Sequence, residues 1–267
     1  MGSIREYLSL ADDQHMVKWI YENTGGKSFD EASAEWPTFA HLQDDYNHYL
    51  VEMAEMAEMA SEIEWLEEND QNHNFELFIS ELDAIRIMVE TSLDDPKTMA
   101  FCVYENTLAK MAYTHSVTLL ESYLGDTLKS IVVSSEYHLS NAMQNITEVS
   151  QAKYSLHELS RAKSDLRALT LLKIAEILFH NIPKVMKTFE AVLDRKLQVN
   201  LSNVIKITSI RHDIAHRNGR KKDGTELHIT VKDLYLAINA IKKFAEDFQN
   251  EIYIRQIVDG ENRWIVK

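Results

Sequence analysis

Glycine, proline and cysteine are the scarce residues of this 267-residue chain, which holds seven, three and one of them. Average usage would supply about thirty glycines and prolines in a chain of this length. So few turn residues cannot punctuate many short strands, which argues against β-sandwiches, β-barrels and glycine-rich nucleotide loops. The single cysteine, Cys102, excludes an intramolecular disulfide and any cysteine-based zinc cluster. No run of about 18 apolar residues occurs, so no membrane-crossing helix is expected. The opening MGSIRE has no apolar stretch of the signal-peptide kind, and Glu6 stands where a myristoylation motif has Ser or Thr. What the chain does have is 45% hydrophobic residues, enough for a sizeable core. The expectation is an all-α, cytoplasmic protein with no membrane contact.

Charge is unevenly spread. Residues 1–100 hold 23 Asp and Glu against 5 Lys and Arg, whereas residues 101–267 hold 19 against 23. The first segment repels itself and would repel nucleic acid, while the second carries local basic clusters. With Pro96 close to the change, the natural division is an acidic helical accessory region at 1–97 and a helical bundle at 98–267.

Apolar spacing predicts the helices. A short amphipathic stretch through Met16, Trp19 and Ile20 stops at Gly25-Gly26, and Trp36-Pro37 reads as a turn into a helix from about Phe39 to Leu66. Within it, Glu52 to Ala60 repeats every three residues and drifts around the helix, as a solvated acidic face does. Phe75 to Val89 is again helical and ends at Asp94-Asp95-Pro96. Leu108, Met111, Ala112, Leu119, Tyr123, Leu128 and Ile131 mark a long amphipathic helix, with Tyr123 and His115 expected to face the core. Leu166 to Phe179 predicts a buried helix ending before Pro183. Ser202 is the expected N-cap of a helix that stops at Asn218-Gly219, and Thr230 that of the last helix, with Asp233 in its first turn. The tail from Arg255 to Lys267, with Asp259-Gly260 between two short runs, suits a small hairpin.

The densest polar cluster runs from Arg211 to Lys222. Within six residues it holds a permanent cation, two imidazoles (His212 and His216) and the Asp213 carboxylate. Histidine exchanges protons near neutral pH, and arginine holds phosphate oxygens with a rigid fork of donors. The combination suits phosphodiester cleavage, in which guanidinium offsets charge building on phosphorus. RNA brings its own nucleophile, the 2′-hydroxyl, so no metal or other cofactor is required. Arg217, Asn218, Arg220, Lys221 and Lys222 are candidates for binding the RNA backbone. On an ideal helix His212 and His216 lie about 40° apart, but Arg211 and His216 about 140° apart. Convergence of that pair therefore needs a distorted helix end or a second copy of the chain.

Arg211 and His216, with four residues between them and a polar residue directly after the arginine, resemble the Arg-x(4–6)-His motif of the HEPN family. Thr118 to Leu124, with Glu121 and Tyr123, is similar to the acidic-aromatic segment on an early helix of many such domains. The likeness covers residues 100–255. It implies a helical bundle, a homodimer and metal-independent endoribonuclease activity, in the toxin–antitoxin and antiviral systems where such proteins serve. It makes Arg211 and His216 the catalytic pair, with His212, Asp213 and Glu121 in support, and admits an antitoxin or other regulatory partner. One departure stands out: toxins silenced by a nucleotidyltransferase have a tyrosine two residues after the histidine, where this chain has Asn218.

Other readings remain open on residues alone. Arg211 suits a helix C-terminus, His216 a buried histidine, and Glu121 an ion pair. His212-Asp213 with His180 and Asp233 would suit an HD-type metal-dependent phosphohydrolase. A non-catalytic, dimeric HEPN-like module whose acidic first third binds a basic partner is the third possibility.

Overall fold

The computed structural model describes residues 15–23, 25–28, 36–69, 71–94, 104–154 and 165–258, and within them every regular element is a helix. In chain order these are α1 (15–23), α2 (Trp36–Glu68), α3 (Gln71–Asp94), α4 (Glu105–Ser134), α5 (Glu136–Asn145), α6 (Thr147–Ser150), α7 (Leu166–Ala175), α8 (Ile182–Leu193), α9 (Ser202–His216) and α10 (Val231–Val258). No strand occurs among the described residues; one isolated antiparallel bridge joins Arg220 and Glu226. Among them, too, no helix is long and apolar enough to cross a membrane.

Contacts divide the chain into two compact units, Met1–Glu62 and Ile63–Lys267. In the first, Ile20 and Tyr46 are buried, and the rings of His15, Trp19, Tyr46 and Tyr49 gather where α1 meets α2. Gly25 and Gly26 stop α1 at positive φ values of 71° and 91°, a region open to glycine because it has no Cβ. Trp36-Pro37 forms the first turn of α2 and not a turn before it, a position where proline's missing N–H costs nothing.

The second unit is built around α4, a helix of 30 residues and about 45 Å. It packs against α3, α5, α7, α8, α9 and α10. Contact on so many sides explains why Val117, Leu120, Leu124, Leu128 and Ile131 are all fully buried. Phe248 of α10 meets Phe189 of α8 edge to face at 4.8 Å, joining two helices that flank α4. Tyr123 is buried, stacks on Phe78 at 4.7 Å and donates its hydroxyl to Gln249 Oε1 at 2.9 Å. His115, by contrast, is exposed: it sits one turn from the buried Ala112 but on the solvent side of α4.

α3 packs on α4 and α10, and the compact units divide at 62/63, whereas the charge-based division lies at 97/98. Two expectations are revised. The helix expected from Leu166 to Phe179 ends at Ala175, and Pro183 lies in the first turn of the next one, with the Asn181 side chain accepting from Lys184 N–H as its N-cap. α10 continues through Val258, so Arg255 to Val258 is helical and not the first arm of a hairpin. Residues 259–267, like Cys102, lie outside the described residues.

Candidate functional site

α9 carries the cluster singled out by the sequence. Val204, Ile207 and Thr208 face inward, at the three- and four-residue spacing of a helix packed on one side. Its N-cap is Leu201, which offers no side-chain cap; just before it the Asn200 side-chain oxygen accepts from Ser202 N–H at 3.0 Å, and Ser202 is the first helical residue and not the cap. The stop falls at Asn218-Gly219, with φ of 52° and 71°. There Gly219 N–H donates to the carbonyls of Asp213 and Ile214. The chain then closes a tight loop, with Lys221 N–H on Thr225 O at 2.9 Å and Leu227 N–H on Gly219 O at 2.8 Å. Lys110 of α4 lies against this loop, its amine 3.8 Å from Glu226 Oε1 and beside the Cα of Gly219.

Because α9 stays regular through His216, neighbouring side chains diverge as the helical wheel requires. Arg211 turns toward α4, where its guanidinium is 3.5 Å from Glu121 Oε2, each side chain being 18% exposed. Glu121 Oε1 and Arg211 Nε are buried without a hydrogen-bond partner among the described residues. His212 and His216 are exposed, their rings tilted at 42° with centroids 4.8 Å apart. Asp213 Oδ1 stands 3.0 Å from Arg217 Nε, an ion pair whose angle falls short of a hydrogen bond.

An open cleft of about 780 Å³ lies along the exposed face of α9. Thr208, Ser209, His212, Asp213 and Arg217 form one side. Lys221, Lys222 and Asp223 come from the loop beyond α9, and His180, Asn181 and Pro183 from the turn into α8. Lys221 and Lys222 make no ion pair among the described residues, whereas Asp223 accepts from Thr225 N–H, which holds its carboxyl below the usual range. A second pocket of about 390 Å³ shares His180 and reaches Thr118, Glu121 and Ser122 on α4.

The structure thus brings together His212, Asp213, Arg217, Lys221 and Lys222. Arg211 and His216 are outside the lining of this cleft, Arg211 lying beside Glu121 and His216 at the helix end. Asn218 takes the left-handed turn and Arg220 donates toward Gly224 O at 3.4 Å, so both serve the loop. Within one chain, then, the guanidinium and imidazole of the Arg-x(4–6)-His spacing occupy separate surroundings. The HD-type reading loses one member: Asp233 exchanges hydrogen bonds with Thr230 in a capping box, which holds its carboxyl below the usual range. Among the described residues no group of three His, Cys, Asp or Glu side chains is placed to hold a metal ion.

Sequence reasoning gave His180 a place only in the HD-type alternative and passed over Asn181 and Asp223. The pair Asn181-Pro183 was the available signal: an N-cap residue two before a proline marks a helix start and sets residue 180 at its mouth. Compared with protein families, curated proteins and solved structures, the chain matches none of them.

Proposed function

We propose that this protein is a metal-independent endoribonuclease that cleaves RNA through attack by the 2′-hydroxyl and works as a homodimer. The observation that carries the reading is the open cleft in which imidazole, guanidinium and two lysine ammonium groups share one surface. Cations at fixed spacing attract a phosphate backbone, and an imidazole moves protons at neutral pH. In this reading His216 and Arg211 keep the roles that their spacing suggests, acid–base group and phosphate clamp, with a second copy bringing them to one phosphate. His212 and Asp213 support them, Glu121 holds Arg211 until RNA arrives, and Arg217, Lys221 and Lys222 bind the backbone. Toxin or anti-phage action, under an antitoxin or another regulatory partner, is the setting that fits such an activity.

The test is incubation of the purified chain with labelled tRNA and mRNA, with and without a chelator, followed by end-group analysis. The expected products carry a 2′,3′-cyclic phosphate and a 5′-hydroxyl in both conditions. Cleavage that needs added metal, or none at all, overturns the reading. One observation favours a second reading, a non-catalytic dimeric module: the Arg211 guanidinium already has a carboxylate partner in Glu121. Tight RNA or protein binding without turnover is its signature.

A further inference from the structure

Transesterification of RNA moves two protons, one off the 2′-hydroxyl and one onto the departing 5′-oxygen, on opposite sides of phosphorus. A single imidazole at the end of α9 supplies one of these transfers at a time. His180, on the turn into α8, lines the same cleft as His212 on α9. The turn that carries it is pinned on both sides: Ile177 and Ile182 are buried, Asn181 N–H donates to Leu178 O at 3.2 Å, and the Asn181 side chain caps α8. Its imidazole is exposed and makes no hydrogen bond among the described residues, so nothing structural occupies it. A rigid backbone under an unengaged, titratable side chain on a cleft wall is the arrangement that proton transfer requires.

We propose that His180 is a catalytic residue, the general acid that protonates the leaving 5′-oxygen. This rests on the ribonuclease reading above. On the α9 wall, the His212 and His216 rings are 4.8 Å apart, which gives a proton taken from the 2′-hydroxyl a short path toward the helix end and solvent. That wall therefore accepts the proton. His180, carried on the turn into α8 and not on α9, is assigned the leaving oxygen. In the step, the 2′-oxygen bonds to phosphorus while the phosphorus–O5′ bond breaks. The 2′-hydroxyl proton passes by way of His212 to His216, the acid–base group of the ribonuclease reading, and the His180 imidazolium gives its proton to O5′. The count of protons is unchanged, and the products are the cyclic phosphate and a 5′-hydroxyl. Lys221 and Lys222 balance the charge on the non-bridging oxygens.

The experiment compares wild type, His180→Ala and His212→Ala on RNA oligonucleotides and on counterparts with 5′-bridging phosphorothiolate links, whose thiolate leaves without a proton. His180→Ala is expected to slow cleavage of ordinary RNA by about 100-fold or more. On the phosphorothiolate RNA it should come within a few-fold of wild type, and the bell-shaped pH–rate profile should lose its alkaline limb. His212→Ala should stay slow on both substrates. His180→Asn, which keeps hydrogen bonding but transfers no proton near neutral pH, should behave as His180→Ala does. If wild type cuts RNA and His180→Ala cuts it equally fast, or is slowed equally on both substrates, the acid role is overturned and the ribonuclease reading stands. If wild type cuts neither substrate, both fall.

Discussion

Glu121 on α4 and Arg211 on α9 face each other across the helix pair at 3.5 Å, mostly shielded from water, and each keeps one polar atom without a hydrogen-bond partner among the described residues. Removing the carboxylate charge leaves a shielded guanidinium without its counter-ion. Glu121→Gln should lower stability by about 1–2 kcal/mol, less than a fully buried pair would cost because the site is partly wet. Urea unfolding at neutral pH measures this, and Arg211→Lys, which keeps the charge, should lose less.

Thr230 and Asp233 exchange hydrogen bonds at the start of α10. Thr230→Ala should cost about 1 kcal/mol, the usual worth of an N-cap. The Asp233 carboxyl is held below the usual range chiefly by the Thr230 hydroxyl, then by the Thr230 N–H. Because that value is lower in the fold than in the unfolded chain, the unfolded chain takes up the proton first. The stabilisation is therefore complete above about pH 4 and fades as pH falls through the folded value. Glu148, lowered by Lys184, and Glu190, lowered by Lys196, act in the same direction. Melting temperatures from pH 6 down to pH 2 should fall for wild type and fall less steeply for Asp233→Asn.

Tyr123 donates to Gln249 inside the core, and burial pushes its phenol well above the usual range. Tyr123→Phe keeps the stacking on Phe78 but strips a donor from a buried acceptor. The expected loss is about 1–2 kcal/mol by denaturant titration, with no dependence on pH between 6 and 9.

Gly219 closes α9 at a φ of 71°, with Lys110 against it. A methyl group there would meet the flexible end of Lys110, which can move, so the backbone conformation decides the outcome. Gly219→Ala should cost about 1 kcal/mol in thermal unfolding and loosen the loop that presents Lys221 and Lys222.

If the cleft binds single-stranded RNA through its cations, the double variant Lys221→Gln/Lys222→Gln should flatten the dependence of log affinity on log salt by about 1.4. Fluorescence anisotropy with labelled RNA over a range of salt concentrations reads this directly. An unchanged slope would place the phosphates elsewhere.

Local chemistry was the legible part of this chain. Scarce glycine and proline announced helices throughout, the spacing from Leu108 to Ile131 located α4, and Asn218-Gly219 and Thr230 marked helix ends where the backbone has them. Pairing across helices was less accessible. The expectation that Glu121 forms an ion pair holds, but its partner, Arg211, is 90 residues away and set by how α9 leans on α4. The place of His180 in the cleft, outside the HD-type reading, was hidden for a related reason. Its exposure and its place in the cleft follow from a turn between α7 and α8, which the mainly apolar stretch from Leu166 to Phe179 conceals. At Ser202 a capping-type residue lies one position inside the helix, whose N-cap is Leu201, and spacing alone does not resolve a one-residue difference.

The long helix α4 has two duties on one rod. Val117, Leu120 and Leu124 fill the interior while Glu121, in the same turns, meets Arg211, and Lys110 near its start steadies the loop beyond α9. Interior volume and surface chemistry are therefore mechanically joined: trimming Leu120 or Leu124 would shift the anchorage of a guanidinium as well as open a hole. Engineering this surface independently of the interior is best begun from the α7–α8 turn and the Lys221–Thr225 loop, whose side chains reach the cleft from outside that rod.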